Sequence, residues 1–185
     1  DLLDRKPGII DINKDCGNKF KKRFIDQSEP KLKKNNKVKT ALIIGSGSIG
    51  QRHIKNLRKI GIDNIVALRS KKGHFKKLPE ELKVIEVDNW EAAIASNPDV
   101  AIISNPSSLH VETARKIVNH VKGIFIEKPL SDSTNECQQL IDMLNEKKVT
   151  SFVGYNMMFH PIVENIIKFY NENDIGEVVN IQCQV

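Results

Sequence analysis

Long apolar runs are missing from this sequence. Nowhere do about 18 hydrophobic residues follow one another, so no segment is built to cross a bilayer as a helix. The amino terminus has no apolar signal region, and it begins at Asp1 in place of a methionine, which suggests a processed or partial chain. Cysteine is scarce. Cys16, Cys137 and Cys183 are odd in number, far apart and without a CxxC pair, which argues against a disulfide framework and against a zinc site. A reducing, cytoplasmic setting with idle or buried thiols is the simplest reading. His53, His74 and His120 have no companions at metal-ligand spacing, so no metal is expected.

An excess of one charge is also missing from most of the chain. The net charge of +6 arises entirely in the leading stretch: residues 1–40 hold 12 of the 29 Lys/Arg and 6 of the 23 Asp/Glu, leaving 17 of each for residues 41–185. Residues 1–39 show no sustained helical or strand period and carry Pro7, Gly8, Gly17 and Pro30 among Lys, Asp and Asn. They read as an irregular basic arm or linker. Aromatics are only 5% of the chain, and in the arm only Phe20 and Phe24 could stack on bases. A solvated linker is therefore favoured over nucleic-acid binding, which would show steeply salt-dependent association.

What is present is a run of alternating apolar and helical stretches from residue 40, organised around TALIIGSGSIGQRHIKNL, Thr40 to Leu57. An aliphatic run, Ala41 to Ile44, stops at three glycines spaced GxGxxG (Gly45, Gly47, Gly50), and a helical pattern with Ile54 and Leu57 on one side begins at once. The first glycine permits a sharp turn out of a strand. The second lets backbone approach a pyrophosphate without a Cβ in the way, and the third lets the helix pack closely on the strand. Unpaired N–H groups of the first helical turn then face the phosphates, aided by the helix dipole. GxGxxG alone is weak evidence, but directly after an aliphatic run and at a helix start it points to a dinucleotide site over an ordinary βα turn.

The first helix is expected to end near Ile60, with Gly61 at its C-cap. Further strands are expected at Asn64–Leu68, Lys83–Val87, Val100–Ser104, Gly123–Ile126 and Val149–Val153. Helices are expected over 89–96, with Asp88 and Glu91 at a capping-box spacing, over 108–121, from a Ser131–Ser133 cap to Lys147, and from Pro161 to about Asn171. Trp90 is expected at the core or its rim. Six strands joined by helix-length crossovers predict an α/β fold, a doubly wound parallel Rossmann sheet with helices on both faces. Residues 177–185 alternate with period 2 and have no partner strand, so they read as the first strand of a truncated second α/β domain. The organisation is thus 1–39 arm, 40–155 dinucleotide-binding domain, and 156–185 linker helix and start of a further domain.

In such sheets ligands lie beyond the carboxyl ends of the strands. Gly45 to Gly50, Arg69, Asn105-Pro106, Glu127-Lys128 and Tyr155-Asn156 all fall there. An NAD site usually has an acid about 20 residues after the glycines for the ribose 2′-hydroxyl, whereas NADP sites have an Arg nearby. Here stand Arg69, Ser70, Lys71 and Lys72, with no acid before Glu80. The cluster favours NADP over NAD, or an arginine on the adenine face, although charged loops are commonly only solvated.

Four signatures in order, GSGSIGQRH, NPSSLHVETA, EKP and GYNMMFHP, resemble the Gfo/Idh/MocA family, which includes glucose-fructose oxidoreductase and inositol dehydrogenases. The resemblance covers roughly residues 40–185. It implies a nicotinamide-binding Rossmann domain followed by an α/β domain whose open sheet binds substrate and often makes a homo-oligomer. By position it implies that Ser46, Ser48 and Ile49 line the pyrophosphate with Gly45, Gly47 and Gly50. It places Asn105, Pro106 and His110 near the nicotinamide, with Glu127 on its ribose, Lys128 in the active site and Asn156 near cofactor and substrate.

Two departures stand out. Met158 occupies a place where some members carry an Arg, so a substrate anion held there loses a partner. The family's catalytic histidine belongs to the second domain, so this chain is expected to bind cofactor with little or no turnover. Read chemically, a lysine such as Lys128, partly desolvated beside a positively charged nicotinamide, can share the hydroxyl proton that leaves as hydride is transferred; an ion pair with Glu127 or plain solvation is the alternative. His160 could reach substrate or bond backbone at a helix start. The expected function is NAD(P)-dependent dehydrogenation of a secondary alcohol, or reduction of a ketone, on a sugar, sugar nucleotide or polyol. The alternative is a non-catalytic nucleotide-binding or redox-sensing module.

Overall fold

A computed structural model describes residues 38–70, 77–172, 180 and 182. The arm up to residue 37, Lys71 and Lys72, and all but residues 180 and 182 of the final alternating run lie outside the described residues. The described residues fall into two compact units, 38–160 and a second that contains Pro161–Glu172.

The first unit is built on six strands: β1 (Thr40–Ile44), β2 (Asn64–Leu68), β3 (Ile85–Val87), β4 (Val100–Ile103), β5 (Gly123–Ile126) and β6 (Thr150–Val153). They form one parallel sheet in the order β3-β2-β1-β4-β5-β6. β1 is apolar without alternation because both of its faces are covered. Leu42 and Ile44 point with Val66, Leu68, Ala101 and Ile103 into one core; Ala41 and Ile43 point with Ile65, Ala67 and Ile102 into the other. Helices α2 (Trp90–Ala95), α3 (His110–Ile117) and α4 (Asn135–Glu146) close the first core through Ala93, Val111, Ala114, Ile117, Leu140 and Leu144. Helix α1 (Ser48–Lys59) closes the second through Ile54 and Leu57. Helices therefore cover both faces, as the sequence predicts.

Element ends follow local chemistry, and several shift from their expected positions. Gly61, at φ +82°, ends α1: its N–H donates to Arg58 O at 3.0 Å and that of Ile62 to Leu57 O at 3.0 Å, a Schellman closure that brings Ile62 into the core. β3 starts at Ile85, not Lys83, because Lys83 adopts a left-handed conformation (φ 49°) after a 3-10 turn at Glu80–Leu82. The cap of α2 is Asn89, whose Oδ1 accepts from Ala92 N at 2.8 Å, and not Asp88. The expected serine cap of α4 is absent as well; Thr134 precedes the helix without a side-chain bond, and Ser131 Oγ instead accepts from Ser133 N at 3.0 Å. The helix expected over 108–121 resolves into α3 flanked by 3-10 turns at Ser107–Leu109 and Val118–His120. In the second unit, α5 (Pro161–Glu172) begins at the expected proline.

At the amino-terminal rim of the sheet, Asp99 joins three strands. Its Oδ2 accepts from the backbone N–H of Lys39 (2.8 Å) and Thr40 (3.2 Å), and its Oδ1 from Lys122 Nζ (2.7 Å). The Lys122 hydrogen bond, helped by those two amides, lowers its pKa from 3.8 to about 2. A depressed carboxylate pKa means that the unfolded chain binds the proton more readily. The stabilisation is therefore present above pH 3.8 and is lost as pH falls towards about 2. Thermal melts from pH 6 down to pH 2 should show a loss of Tm across this window that is smaller in Asp99→Asn, where no carboxylate is left to titrate. Parallel acid profiles in the two proteins would remove Asp99 from the account.

Candidate cofactor-binding site

The strand order reverses between β1 and β4, and the crevice at their carboxyl ends is where this fold receives ligands. The turn after β1 is shaped by three glycines with separate tasks. At Gly45 (φ +91°) a Cβ would lie 2.4 Å from Asn105 N, so the turn can lie against the loop after β4 only without a side chain. Ser104 Oγ donates to Gly45 O at 2.6 Å and fixes that approach. At Gly50 a Cβ would lie 2.1 Å from Gly45 O, so the helix sits directly on the turn. At Gly47 a Cβ would meet nothing within 4 Å. Its missing side chain leaves open space above the start of α1.

That helix start is bare. Gly47 is the N-cap, no side chain caps it, and no acid occupies the first turn. Donor N–H groups and the positive end of the helix thus face the space over Gly47, a combination suited to an anion. The space opens into a groove of about 870 Å³, within the usual range for a ligand site. Gly45, Ser46, Gly47, Ser48, Arg69, Ser70, Asn105 and Pro106 line it, so the structure brings these predicted residues together. Ile49 and Gly50 complete the first turn of α1.

Several predicted residues make contacts other than those expected, and some stand outside the groove. Arg69 is only 5% exposed, and its Nη1 donates to Glu86 Oε2 on β3 at 2.5 Å. The positive charge that favoured a 2′-phosphate is therefore met by the neighbouring strand's carboxylate. His110 is buried, with Nδ1 2.8 Å from Pro129 O and Nε2 2.9 Å from Asn105 O. Both ring nitrogens are engaged by backbone, so His110 ties the loop after β4 to the loop after β5 and offers no ring nitrogen to a cofactor. Asn105 Nδ2 donates to Thr113 Oγ1 at 2.8 Å, while its Oδ1 is buried with no partner among the described residues. Glu127, Lys128 and Asn156 stand outside the groove, beyond the ends of β5 and β6. Lys128 is exposed, and its ammonium has no hydrogen-bond or ion-pair partner among the described residues. The expected partial desolvation is not present in the protein alone.

Two contributors escaped sequence reasoning. His53 Nε2 lies 2.7 Å from Glu127 Oε1. The signal was there, because His53 follows Gly50 by three residues and so shares its helix face. Trp90, expected only as packing, also lines the groove, and Lys116 Nζ sits 5.7 Å over its ring. Lys116 also bonds Glu112 Oε1 at 2.6 Å, and that bond holds the Glu112 carboxyl below the ordinary range.

A dinucleotide fits what is here: open room at Gly47, an uncapped helix start and an orphaned acceptor on Asn105. Residues 39–155 match the model of a family described as "Oxidoreductase family, NAD-binding Rossmann fold". The chain is 26% identical over 141 residues to scyllo-inositol 2-dehydrogenase (NAD(+)) of Bacillus subtilis, covering 74% of this chain and 41% of that protein. It is 29% identical over 106 residues to 2,7-anhydro-N-acetylneuraminate hydratase of Escherichia coli, covering 57% of this chain and 28% of that protein. Among solved structures, myo-inositol 2-dehydrogenase from Lactobacillus plantarum shares the fold with a TM-score of 0.67 at 24% identity, over 77% of this chain and 43% of that one. The chain thus spans less than half the length of these proteins. With the family match covering more than half of the chain and the strand order, glycine turn and groove in agreement, this protein belongs to the Gfo/Idh/MocA family of NAD-binding Rossmann-fold oxidoreductases.

Proposed function

We propose that this chain is the nucleotide-binding part of an NAD(P)-dependent dehydrogenase acting on a secondary hydroxyl or keto group of a sugar, sugar nucleotide or polyol. The observation that carries the reading is the bare helix start above Gly47 at the β1/β4 crevice. N–H groups of Ser48, Ile49 and Gly50 hold the pyrophosphate. When bound, the nicotinamide supplies hydride chemistry.

The strand order supports assigning one ribose to each half of the sheet. Two three-stranded halves meet between β1 and β4, so the end of β2 in one half corresponds to the end of β5 in the other. The residue after β2 is Arg69; the residue after β5 is Glu127. The ribose-binding acid of the first half is thus replaced by a paired arginine, while the second, nicotinamide-side half retains an acid. Lys128, next in sequence and free at its ammonium, holds or moves the substrate hydroxyl proton at Nζ. Sugar and inositol chemistry is supported by the names of the relatives.

Titration calorimetry with NAD+, NADH, NADP+ and NADPH tests the nucleotide reading. Trp90 is the single tryptophan and lines the groove. NADH binding should therefore quench its emission and sensitise nicotinamide fluorescence by energy transfer. No heat and no transfer with any of the four would overturn the proposal. Hydride transfer from a panel of sugars and polyols to the oxidised nicotinamide, or from the reduced form to their keto counterparts, measured on this part joined to a substrate-binding remainder, tests the substrate class.

A further inference from the structure

Two groups bond Glu127, and a glycine makes room for it. His53 on α1 places Nε2 2.7 Å from Oε1, with side-chain exposures of 17% and 19% for the pair. The backbone N–H of Lys128 donates to Oε2 at 3.3 Å. At Gly154, beyond β6, a Cβ would lie 3.3 Å from Oε1 and 3.0 Å from the Phe125 ring, so the space for the carboxylate exists because that residue has no side chain. The His53 ring in turn packs edge-on to Phe125, with centroids 5.0 Å apart. Helix α1 therefore contacts two places: its first turn faces the groove, and His53, one turn later, grips the carboxylate after β5.

An untethered glutamate has three side-chain torsions to fix before it can accept from a ribose diol, and fixing them costs binding energy. Pre-set by His53, it does not incur that cost again on binding. We infer that His53 is a positioning residue: it orients Glu127 towards the nicotinamide-side ribose, so the nicotinamide half of the nucleotide depends on a helix whose first turn serves the pyrophosphate. The inference rests on the nucleotide-binding function proposed above.

Two probes isolate the effect. ADP carries the pyrophosphate and one ribose; ADP-ribose adds the second. Two variants separate donor from ring. His53→Gln keeps an N–H donor near the Nε2 position, whereas His53→Phe keeps the packing on Phe125 and removes the donor. Calorimetry on the full chain should show ADP-ribose affinity about fivefold to tenfold weaker in His53→Phe, in line with loss of one charge-assisted bond, with ADP affinity within about twofold of the wild type. His53→Gln should recover most of the loss. An equal weakening of ADP and ADP-ribose would make His53 a packing residue, and unchanged ADP-ribose affinity in His53→Phe would overturn the inference outright. A wild-type protein that binds neither probe would instead refute the nucleotide-binding function itself.

Discussion

Gly47→Ser is expected to leave the protein as stable as before, or slightly more so, and to weaken nucleotide binding by about thirtyfold to a hundredfold. The two effects separate because of what surrounds this position. A Cβ there meets nothing, and the backbone is extended (φ −67°, ψ −167°), so the fold accepts any small residue. Serine is also a better N-cap than most residues, since its hydroxyl accepts from the second or third N–H of the helix. Those N–H groups are the ones that the phosphates need. The substitution both fills the cradle and occupies its donors, a combined loss of roughly 2–3 kcal/mol in affinity. Calorimetry with the tightest-binding nucleotide, alongside a thermal melt, checks it; affinity within twofold of wild type would show that the phosphates lie elsewhere.

Gly50→Ala, three residues on, should fail in the opposite manner. Helix propensity alone predicts a gain of up to about 1 kcal/mol for replacing a helical glycine by alanine, less in a first turn such as this one. The new Cβ would, however, stand 2.1 Å from Gly45 O and 3.1 Å from Ser104 Oγ. The first of these is backbone in a turn already pressed against Asn105, and it has no room to yield. Helix α1 must lift off β1, loosening Ile54 and Leu57 in the second core. A net destabilisation of about 2–3 kcal/mol follows, or roughly 10 °C in Tm for a domain of this size. A melt at or above the wild-type temperature would mean that the turn can relax, and the close packing assigned to this glycine would be wrong.

The fold was legible wherever period and punctuation spoke together. The aliphatic runs of β1, β2 and β4, the glycine after Ile60 and the proline at 161 each located an element or its end. Caps were read less well, because neighbouring polar residues compete: Asp88 and Asn89 are both competent, and only backbone geometry selects Asn89. In the site, the glycine turn and Asn105-Pro106 came together as expected. Arg69 and His110 were placed correctly along the chain but not in their contacts. No pattern in one sequence reveals that an arginine will find an acid 17 residues on, or that a histidine will have both nitrogens bound to carbonyls. Such partners are set by tertiary register, here the pairing of β2 with β3 and the meeting of two loops. His53 was missed for the same reason, since its partner lies 74 residues away.

The carboxylate at position 99 sits at the opposite rim of the sheet from every candidate ligand contact, with a strand's length between them. The acid-sensitive bonds of Asp99 and the groove over Gly47 therefore lie at separate poles of the sheet. A substitution at Asp99 thus reads out the acid response of the strand starts while every residue lining the groove stays in place.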